Sequence, residues 1–405
     1  MHRHHRALVG LATIVALTAC EDTRPAPTAV THAQRTLNQQ AVLDSMDSLA
    51  PQGPYVAVDL GTLGGASGTA FAVNKDGSVV GTALDSSGNG HAFLWRNGVM
   101  QDLGTLGGTF SQATDINDRG DIVGTSTTAE GVSYAVLWTN GTIQALGPIA
   151  GGTVHLNRGG DAVWSATTPS GTHAYLWHNG AAQDLGTLGG ATSNPTAIND
   201  AGSVVGTSST DSDGTQAFIW SNGQMQEIPS PVPQVGLSPV GINRHGLVAG
   251  TIRVFGVTPW QKAWTWDGSA VTMIPVRAAP QDSNGNAAVV SDRGDVYGVD
   301  FNIAGDNQHP FEWTNGTLIR IDPSWFLAQF VTAVNPRGTV TGYRLLGPPA
   351  QVFRAMVWED GNAWILGTFA PGGESRGLDV NAQGDVVGVA STKTGSHPAL
   401  WKRVP

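Results

Sequence analysis

The chain has 405 residues, of which 13% are charged, with 54 glycines, 22 prolines and a single cysteine. This composition disfavours long amphipathic helices and favours an all-β protein, and a lone cysteine excludes an intramolecular disulfide. The formal charge of −10 repels phosphate backbones, so nucleic-acid binding is not expected in the absence of a long run of Lys or Arg.

The N-terminus has the pattern of a signal peptide. A basic MHRHHR precedes ALVGLATIVALTA, which is too short for a helix that spans a bilayer, since such a helix needs about 20 residues. The apolar stretch ends at Leu17-Thr18-Ala19-Cys20, which resembles the lipobox of bacterial lipoproteins, where cleavage leaves an acylated cysteine as the first residue. We therefore predict a lipoprotein signal peptide at residues 1–19 and lipidation of Cys20. The alternative is an ordinary secretory peptide that contains a cysteine by chance.

Residues 20–54 are predicted to form a disordered, lipidated tether. The segment is polar and has no hydrophobic period, with TRPAPT near its start and APQGP near its end. Such a segment cannot bury enough apolar surface to order itself. The protein would then contact the membrane through its N-terminal lipid only, at the outer membrane or cell surface of a bacterium.

From residue 55 onward the sequence repeats. DLGTLGG occurs three times, beginning at Asp59, Asp102 and Asp184. Eight units also share a tryptophan, at Trp95, Trp138, Trp177, Trp220, Trp266, Trp313, Trp358 and Trp401. Upstream of each tryptophan is an asparagine or serine that is followed three residues later by glycine, at Asn74, Asn117, Asn157, Asn199, Asn243, Ser291, Asn335 and Asn381. Regular spacing of this kind indicates a repeat architecture.

Each unit is predicted to form four short strands. In the second unit, QATDIN and DIVGTS flank the turn NDRG, and YAVLW and TIQALG flank TNG, so both pairs have the pattern of hairpins. Four strands in about 40 residues match one blade of a β-propeller. Residues 55–405 are therefore predicted to form an all-β propeller of eight four-stranded blades.

The two ends of the repeat region are incomplete in complementary ways. Only KRVP follows Trp401, so the eighth unit lacks its fourth strand, whereas YVAVDLGTLGG at the beginning is a fourth strand without the first three. We predict that residues 55–61 complete blade 8 and close the ring, which removes the exposed sheet edges of an open array. DLGTLGG would then be a fourth strand and the passage into the next blade.

The motifs DLGTLGG, I-N-x-x-G-x-V-V-G and HAFLW resemble the HAF-repeat family of bacterial extracytoplasmic proteins, named for residues found here as His91-Ala92-Phe93. The resemblance extends from Tyr55 to the end of the chain and implies location and architecture. It brings no activity, substrate or catalytic residue. Blades 5 to 7 depart from it because they lack DLGTLGG, and blade 3 departs because Trp164 replaces a glycine found in the other seven units.

Common catalytic signatures are missing from the sequence. It contains no G-x-S-x-G, H-E-x-x-H, phosphate-binding Gly-Lys-Ser/Thr motif or cysteine pair, so no cofactor or metal is expected. STDSDGTQ begins like a calcium loop but lacks its closing glutamate, so it is interpreted as a polar loop. Four histidines precede their tryptophans by four residues and are predicted to make strand-end hydrogen bonds rather than bind a metal, at His91, His173, His309 and His397.

The candidate ligand-binding residues lie in blades 5 to 7. These blades have the longest distances from asparagine or serine to tryptophan, 23, 22 and 23 residues against 20 or 21 elsewhere, which indicates longer loops, and binding residues are often found on loops. The loops bring cations and aromatics together, a combination suited to sugars, peptides or anionic groups. The predicted ligand-binding residues are Arg253, Trp260, Lys262, Arg277, Trp325, Arg344 and Arg354, with Phe255 and Phe330 in the same sector. Alternatively, the aromatics form minor cores beneath their own loops.

The sequence predicts a non-catalytic envelope or cell-surface lipoprotein, a monomer that binds a glycan, peptide or protein on its long loops. The alternative is a propeller enzyme, a glycan-directed hydrolase or lyase with carboxylates and Arg at the central funnel, which rests on analogy between folds. Two carboxylates that converge at the funnel mouth, with raised pKa values, would favour the enzyme.

Overall fold

The computed structural model describes residues 53–212, 214–255, 260–275, 284–301, 308–321, 329–346 and 352–404. The predicted signal peptide, Cys20, nearly all of the tether, Arg277 and Trp325 lie outside these ranges. Within these ranges, every regular secondary-structure element is a β-strand. Accordingly, no described segment forms a helix with the length and apolarity of a membrane span.

The described residues form 32 strands, numbered β1 to β32 in chain order. The first sixteen are β1 Tyr55–Asp59, β2 Gly64–Val73, β3 Val79–Asp85, β4 Gly90–Arg96, β5 Val99–Asp102, β6 Gly107–Ile116, β7 Ile122–Thr128, β8 Ser133–Thr139, β9 Thr142–Pro148, β10 Gly151–Leu156, β11 Ala162–Thr168, β12 Gly171–His178, β13 Ala181–Asp184, β14 Gly189–Ile198, β15 Val204–Thr210 and β16 Thr215–Ser221. The others are β17 Gln224–Glu227, β18 Leu237–Ile242, β19 Val248–Val254, β20 Trp260–Trp266, β21 Val271–Met273, β22 Asn284–Val290, β23 Val296–Phe301, β24 His309–Thr314, β25 Thr317–Arg320, β26 Gln329–Val334, β27 Val340–Leu345, β28 Phe353–Glu359, β29 Asn362–Ile365, β30 Ser375–Val380, β31 Val386–Ser391 and β32 Ser396–Arg403.

The strands form eight four-stranded antiparallel blades, as the sequence predicts. Blades 1 to 7 take consecutive groups of four strands from β2 to β29, and blade 8 has the order β30, β31, β32, β1. One parallel residue pair, Thr172 with Thr192, also joins blade 3 to blade 4. The first strand of each blade contacts the first strands of both neighbouring blades, so these eight strands surround the axis of a closed propeller.

The N-terminal strand closes the ring, which confirms the prediction from the incomplete ends. β1 pairs antiparallel with β32, from Tyr55 opposite Arg403 to Asp59 opposite Ala399. Such closure leaves no unpaired edge between the first and last blades. The core lies between the faces of neighbouring blades, and one apolar cluster joins blades 1 and 2 through Val80, Ala92, Ile122, Val136 and Trp138.

The asparagine in the first turn of each unit connects one blade to the next. Asn74 Oδ1 accepts hydrogen bonds from the backbone N–H groups of Asp76 and Ser78, both at 3.0 Å, while Asn74 Nδ2 donates to the carbonyl of Asn117 in blade 2 at 3.2 Å. The same inter-blade bond is donated by Asn117, Asn157, Asn199, Asn243, Asn335 and Asn381. We call this ring the asparagine belt. It is interrupted at Ser291, whose side chain bonds to Asp295 instead.

Four residues of the DLGTLGG copy at 102–108 have an identifiable structural role. Asp102 Oδ1 accepts a hydrogen bond from Gly104 N at 2.7 Å, in a turn where Gly104 has a φ of +72°. The other oxygen of Asp102 lies 2.8 Å from His91 Nδ1, as predicted for a strand-end histidine. Thr105 Oγ1 donates to the carbonyl of Gly108. A Cβ on Gly108 would lie 2.5 Å from the carbonyl oxygen of Thr128, so this position has no room for a side chain.

Trp164 fills a space that only blade 3 provides. In blade 2, a Cβ on the equivalent Gly124 would lie 1.9 Å from the carbonyl of Gln112 on the neighbouring strand. In blade 3, β10 pairs with β11 at only three positions and shifts register before His155. This reduced pairing between β10 and β11 leaves room for the Trp164 ring. Trp164 is 1% exposed, and its Nε1 donates to the carbonyl of Pro148.

Candidate functional site

The two faces of the propeller differ in the connections that they carry. The turns between strands one and two, and between strands three and four, share one face, which we call the turn face. The longer connections between strands two and three lie on the other, the loop face, together with the passages between blades. Since the innermost strands run from the loop face to the turn face, the asparagine belt encircles the turn-face end of the axis.

Three titratable side chains lie beside the axis, two residues before the belt. They are Asp115 in blade 2, His155 in blade 3 and Asp379 in blade 8, at positions occupied in the other blades by Ala72, Ala197, Gly241, Val289 and Ala333. Each of the three is half-buried. No group of three or more His, Cys, Asp or Glu residues in the described ranges is arranged to hold a metal ion.

The protein interior shifts the pKa of all three groups. Burial, with the charge of Asp379 as a second cause, raises the pKa of Asp115 to about 7. Burial also raises the pKa of Asp379 and lowers the pKa of His155 to about 4. All three shifts favour the neutral form, as expected when charged groups lose hydration.

The two carboxylates already link backbone groups of different blades. Asp115 Oδ2 accepts from Leu156 N in blade 3 at 3.1 Å, and Asp379 Oδ2 accepts from Val73 N in blade 1 at 2.9 Å. Their Oδ1 atoms accept from the next residue along their own strands. The charge of Asp379 contributes to the raised pKa of Asp115, so the two carboxylates interact electrostatically, at the turn-face end of the axis.

Charged residues alternate around much of the turn-face opening. The positions after the belt residues carry Lys75, Asp118, Arg158, Asp200, Arg244, Asp292, Pro336 and Ala382 in blade order. Arg158 Nη1 lies 3.1 Å from Asp200, and its Nη2 lies 3.7 Å from Asp292 in blade 6. Arg158 therefore extends across part of this opening, above a cavity of about 210 Å³.

On the loop face, a cavity of about 1070 Å³ lies between blades 4 and 5. Its lining includes Gln216, Gln234, Arg253 and Phe255. The Phe255 side chain is 79% exposed, and Arg253 Nε donates to Gln261 Oε1 at 2.7 Å. Gln216 Oε1 is buried and has no hydrogen-bond donor within the part of the chain that the structure describes. We call this cavity the loop-face groove.

The structure separates some of the predicted ligand-binding residues from one another. Arg253 is opposite Gln261 and Ile252 is opposite Lys262 in the same ladder, so Arg253 and Lys262 project from opposite faces of blade 5. Trp260 is half-buried and packs against the core between blades 4 and 5. The Lys262 ammonium lies 5.8 Å from the centroid of the Trp260 ring.

The two predicted arginines of blade 7 are less accessible than the sequence suggested. Arg344 is fully buried, whereas it was expected on the binding surface. Its position on β27 faces the interior of the propeller, which loop lengths could not reveal. Arg354 is half-buried and donates hydrogen bonds to the carbonyls of Phe353 and Gly373, so it ties β28 to the passage into blade 8.

An aromatic cluster in blade 7 was only partly anticipated. Phe330, one of the aromatics of the predicted sector, stacks on Tyr343 with ring centroids 4.7 Å apart. Phe353 meets Tyr343 edge-on at 5.5 Å, and the Arg376 guanidinium of blade 8 lies 4.9 Å from the Phe353 centroid. We call these four residues the aromatic platform. Aligning the blades strand by strand could have revealed it, because no equivalent position in the other blades is aromatic.

No protein-family model and no curated protein sequence matches this chain. Among solved structures, the chain is similar to the β-propeller domain of the Trilobed protease from Pyrococcus furiosus, with a TM-score of 0.49 and 13% identity over 73% of this chain and 94% of that one. It is also similar to the acylaminoacyl peptidase of Pyrococcus horikoshii, with a TM-score of 0.48 and 12% identity over 82% and 59%. TolB from Acinetobacter baumannii gives a TM-score of 0.39 and 12% identity over 94% and 88%. The strand pairing therefore defines the fold here.

Proposed function

We propose that this protein is a non-catalytic binding module of the bacterial cell envelope that holds a glycan, peptide or protein on its loop face. The loop-face groove carries the proposal, since it combines a wide cavity with an aromatic side chain, Phe255, that is 79% exposed, and ligand sites are typically concave and lined by aromatic and a few polar groups. Arg253 and the unsatisfied Gln216 Oε1 add polar groups that could orient a ligand. The module would act as a monomer, without a cofactor and without nucleic acid.

Membership of the HAF-repeat family and lipidation of Cys20 belong to the same proposal. The repeat motifs support the first, and the lipobox-like LTAC supports the second. Labelling of growing cells with palmitate should mark the wild-type chain and leave Cys20→Ser unlabelled. Equal labelling of the two chains would show that Cys20 is not the acylated residue.

A binding screen tests the loop face. The full-length chain, purified in detergent, would be applied to glycan and peptide arrays, and the affinity of the best ligand would then be measured for Phe255→Ser. Loss of a well-placed aromatic contact should weaken binding by about tenfold. Val99→Ser is the matched control, because Val99 is 67% exposed but follows a strand three-to-four turn, on the turn face. If the two variants bind equally well, the groove is not the binding site.

The pKa values of Asp115 and Asp379 support a second candidate, a propeller enzyme that acts on glycans. Raised carboxylate pKa values are frequent at catalytic sites, although here each carboxylate also accepts backbone hydrogen bonds from a neighbouring blade. The two candidates differ in whether the ligands found on the arrays are cleaved during long incubation with the protein. Cleavage that Asp379→Asn abolishes would favour the enzyme, and intact ligands would favour the binding module.

A further inference from the structure

We propose that the aromatic platform binds an acidic sugar, with the carboxylate of a uronic acid at Arg376 and the pyranose ring packed on Phe330. This inference rests on the proposed function, because it names a site and a ligand class on the same loop face. The platform is formed by Phe330, Tyr343 and Phe353 of blade 7 and Arg376 of blade 8.

The platform lies at the loop-face end of the axis. Phe330 and Arg376 are each the second residue of the innermost strand of their blade, and those strands begin on the loop face. Phe330 is opposite Tyr343 in the ladder, and Phe353 is opposite Leu345. Because residues two apart on a strand share a face, all three rings project from the same side of blade 7.

The fold does not require aromatic residues at these positions. Pairs equivalent to Phe330 and Tyr343 are Thr69 with Thr82, Gln112 with Thr125, Asn194 with Thr207, Ser238 with Thr251 and Asn286 with Val299, and in blade 8 Arg376 with Val389. Phe353 has the equivalents Gly90, Ser133, Thr172, Thr215, Gln261 and Ser396. Blade 7 alone combines three rings there, which indicates a role beyond support of the blade.

The ring geometry leaves an accessible apolar surface. The Phe330 and Tyr343 rings are 24° from parallel, with centroids 4.7 Å apart, so Tyr343 covers one face of Phe330. Phe353 meets the Phe330 ring edge-on, with centroids 6.2 Å apart. Phe330 nevertheless remains 40% exposed, so part of its ring is covered by neither neighbour. The C–H face of a pyranose packs on such a surface, and aromatic anchors of this kind provide much of the energy of binding.

The charge at the platform favours an anionic ligand. The Arg376 guanidinium lies 4.9 Å from the Phe353 centroid and 5.6 Å from the Tyr343 centroid, so the cation site above these rings is already occupied by the protein. A second cation would be repelled. Arg376 Nη2 has only a long, exposed contact with Glu374, at 3.5 Å, and 43% of the Arg376 side chain is exposed. Its Nε is buried, so the Nη groups are the donors that could meet a carboxylate.

Calorimetric titration of the full-length chain in detergent tests the proposal. The probe is an oligogalacturonate, and its methyl ester of equal length serves as the neutral comparison. The oligogalacturonate should bind more tightly than the ester, and both Phe330→Ala and Arg376→Gln should weaken its binding by about tenfold. Phe110→Ala is the matched control, because Phe110 is 39% exposed but lies in blade 2, and this variant should bind as the wild type does.

The possible outcomes separate this proposal from the proposed function. If the array identifies a peptide or a neutral glycan as the ligand while the oligogalacturonate does not bind, the platform proposal is overturned and the binding module stands. Equal affinity for the acid and its ester, or unchanged affinity in Phe330→Ala, overturns it as well. If neither the array nor the titration detects binding, both proposals fail.

Discussion

At the scale of single residues, Asp115 and His155 show how one environment shifts two groups in opposite directions. They occupy equivalent positions in adjacent blades, two residues before the asparagine belt. Loss of hydration raises the pKa of the carboxyl to about 7 and lowers that of the imidazole to about 4. In both cases the neutral form is favoured, and stability must therefore depend on pH.

We expect Asp115 to make the protein less stable as the pH rises. Its pKa in the folded state lies above the ordinary value of 3.8, so its stabilising effect is complete below about pH 4 and is lost as the pH rises through 7. Asp115→Asn should remove this loss of stability. The loss is at most about 4 kcal/mol, because each unit of pKa shift corresponds to about 1.4 kcal/mol. Urea unfolding at pH 4.5 and pH 8 measures the difference between variant and wild type.

His155 provides a control of opposite sign. Its folded pKa of about 4 lies below the ordinary 6.5, so its contribution is lost as the pH falls from 6.5 towards 4. His155→Gln should therefore reduce the loss of stability that occurs as the pH falls. Asp115→Asn should reduce the loss that occurs as the pH rises. Parallel pH profiles for Asp115→Asn and the wild type would mean that Asp115 titrates normally in the folded protein.

At the scale of the structural element, the sequence revealed the turn but not the belt. An asparagine followed three residues later by glycine indicates a local turn, because those residues are neighbours in the chain. The hydrogen bond from Asn74 to Asn117 joins residues of different blades, and sequence spacing carries no information about such a contact. For the same reason, loop length located the sector of the aromatic platform but could not show that Arg344 is buried.

The interruption of the belt at Ser291 allows a stabilising substitution. Ser291→Asn should supply the missing donor to the carbonyl of Asn335, as Asn243 donates to Ser291 at 3.0 Å. A typical intramolecular hydrogen bond contributes about 1 kcal/mol, so the free energy of unfolding should rise by about that amount. Chemical denaturation of the variant and the wild type checks this.

Ser291→Ala is the companion variant. It removes the hydroxyl that accepts from Asp295 N at 3.1 Å, so it should destabilise the protein while Ser291→Asn stabilises it. If both substitutions lower stability to the same extent, blade 6 does not accommodate the asparagine amide in the belt geometry.

At the scale of the whole molecule, the sequence predicted the architecture well because the repeat encodes it several times. Eight units gave the number of blades, and the incomplete ends gave the closing pair, β1 with β32. The candidate site was harder to predict, since a ligand site in a repeat protein consists of departures from the repeat. Tyr343, Phe353 and Arg376 become conspicuous only when the strand register aligns them with their equivalents.

The identical DLGTLGG copies have a consequence for how the number of blades can change. Deleting Asp59 through Gln101 joins Val58 to Asp102 and restores the same motif across the junction. The deletion removes blade 1 alone, and the belt could close from Asn381 to Asn117. Unequal recombination between such copies would add or remove a blade in one step. We expect this shortened chain to fold as a compact seven-bladed monomer with a cooperative thermal transition, measurable by gel filtration and calorimetry, whereas aggregation would mean that the ring tolerates eight blades only.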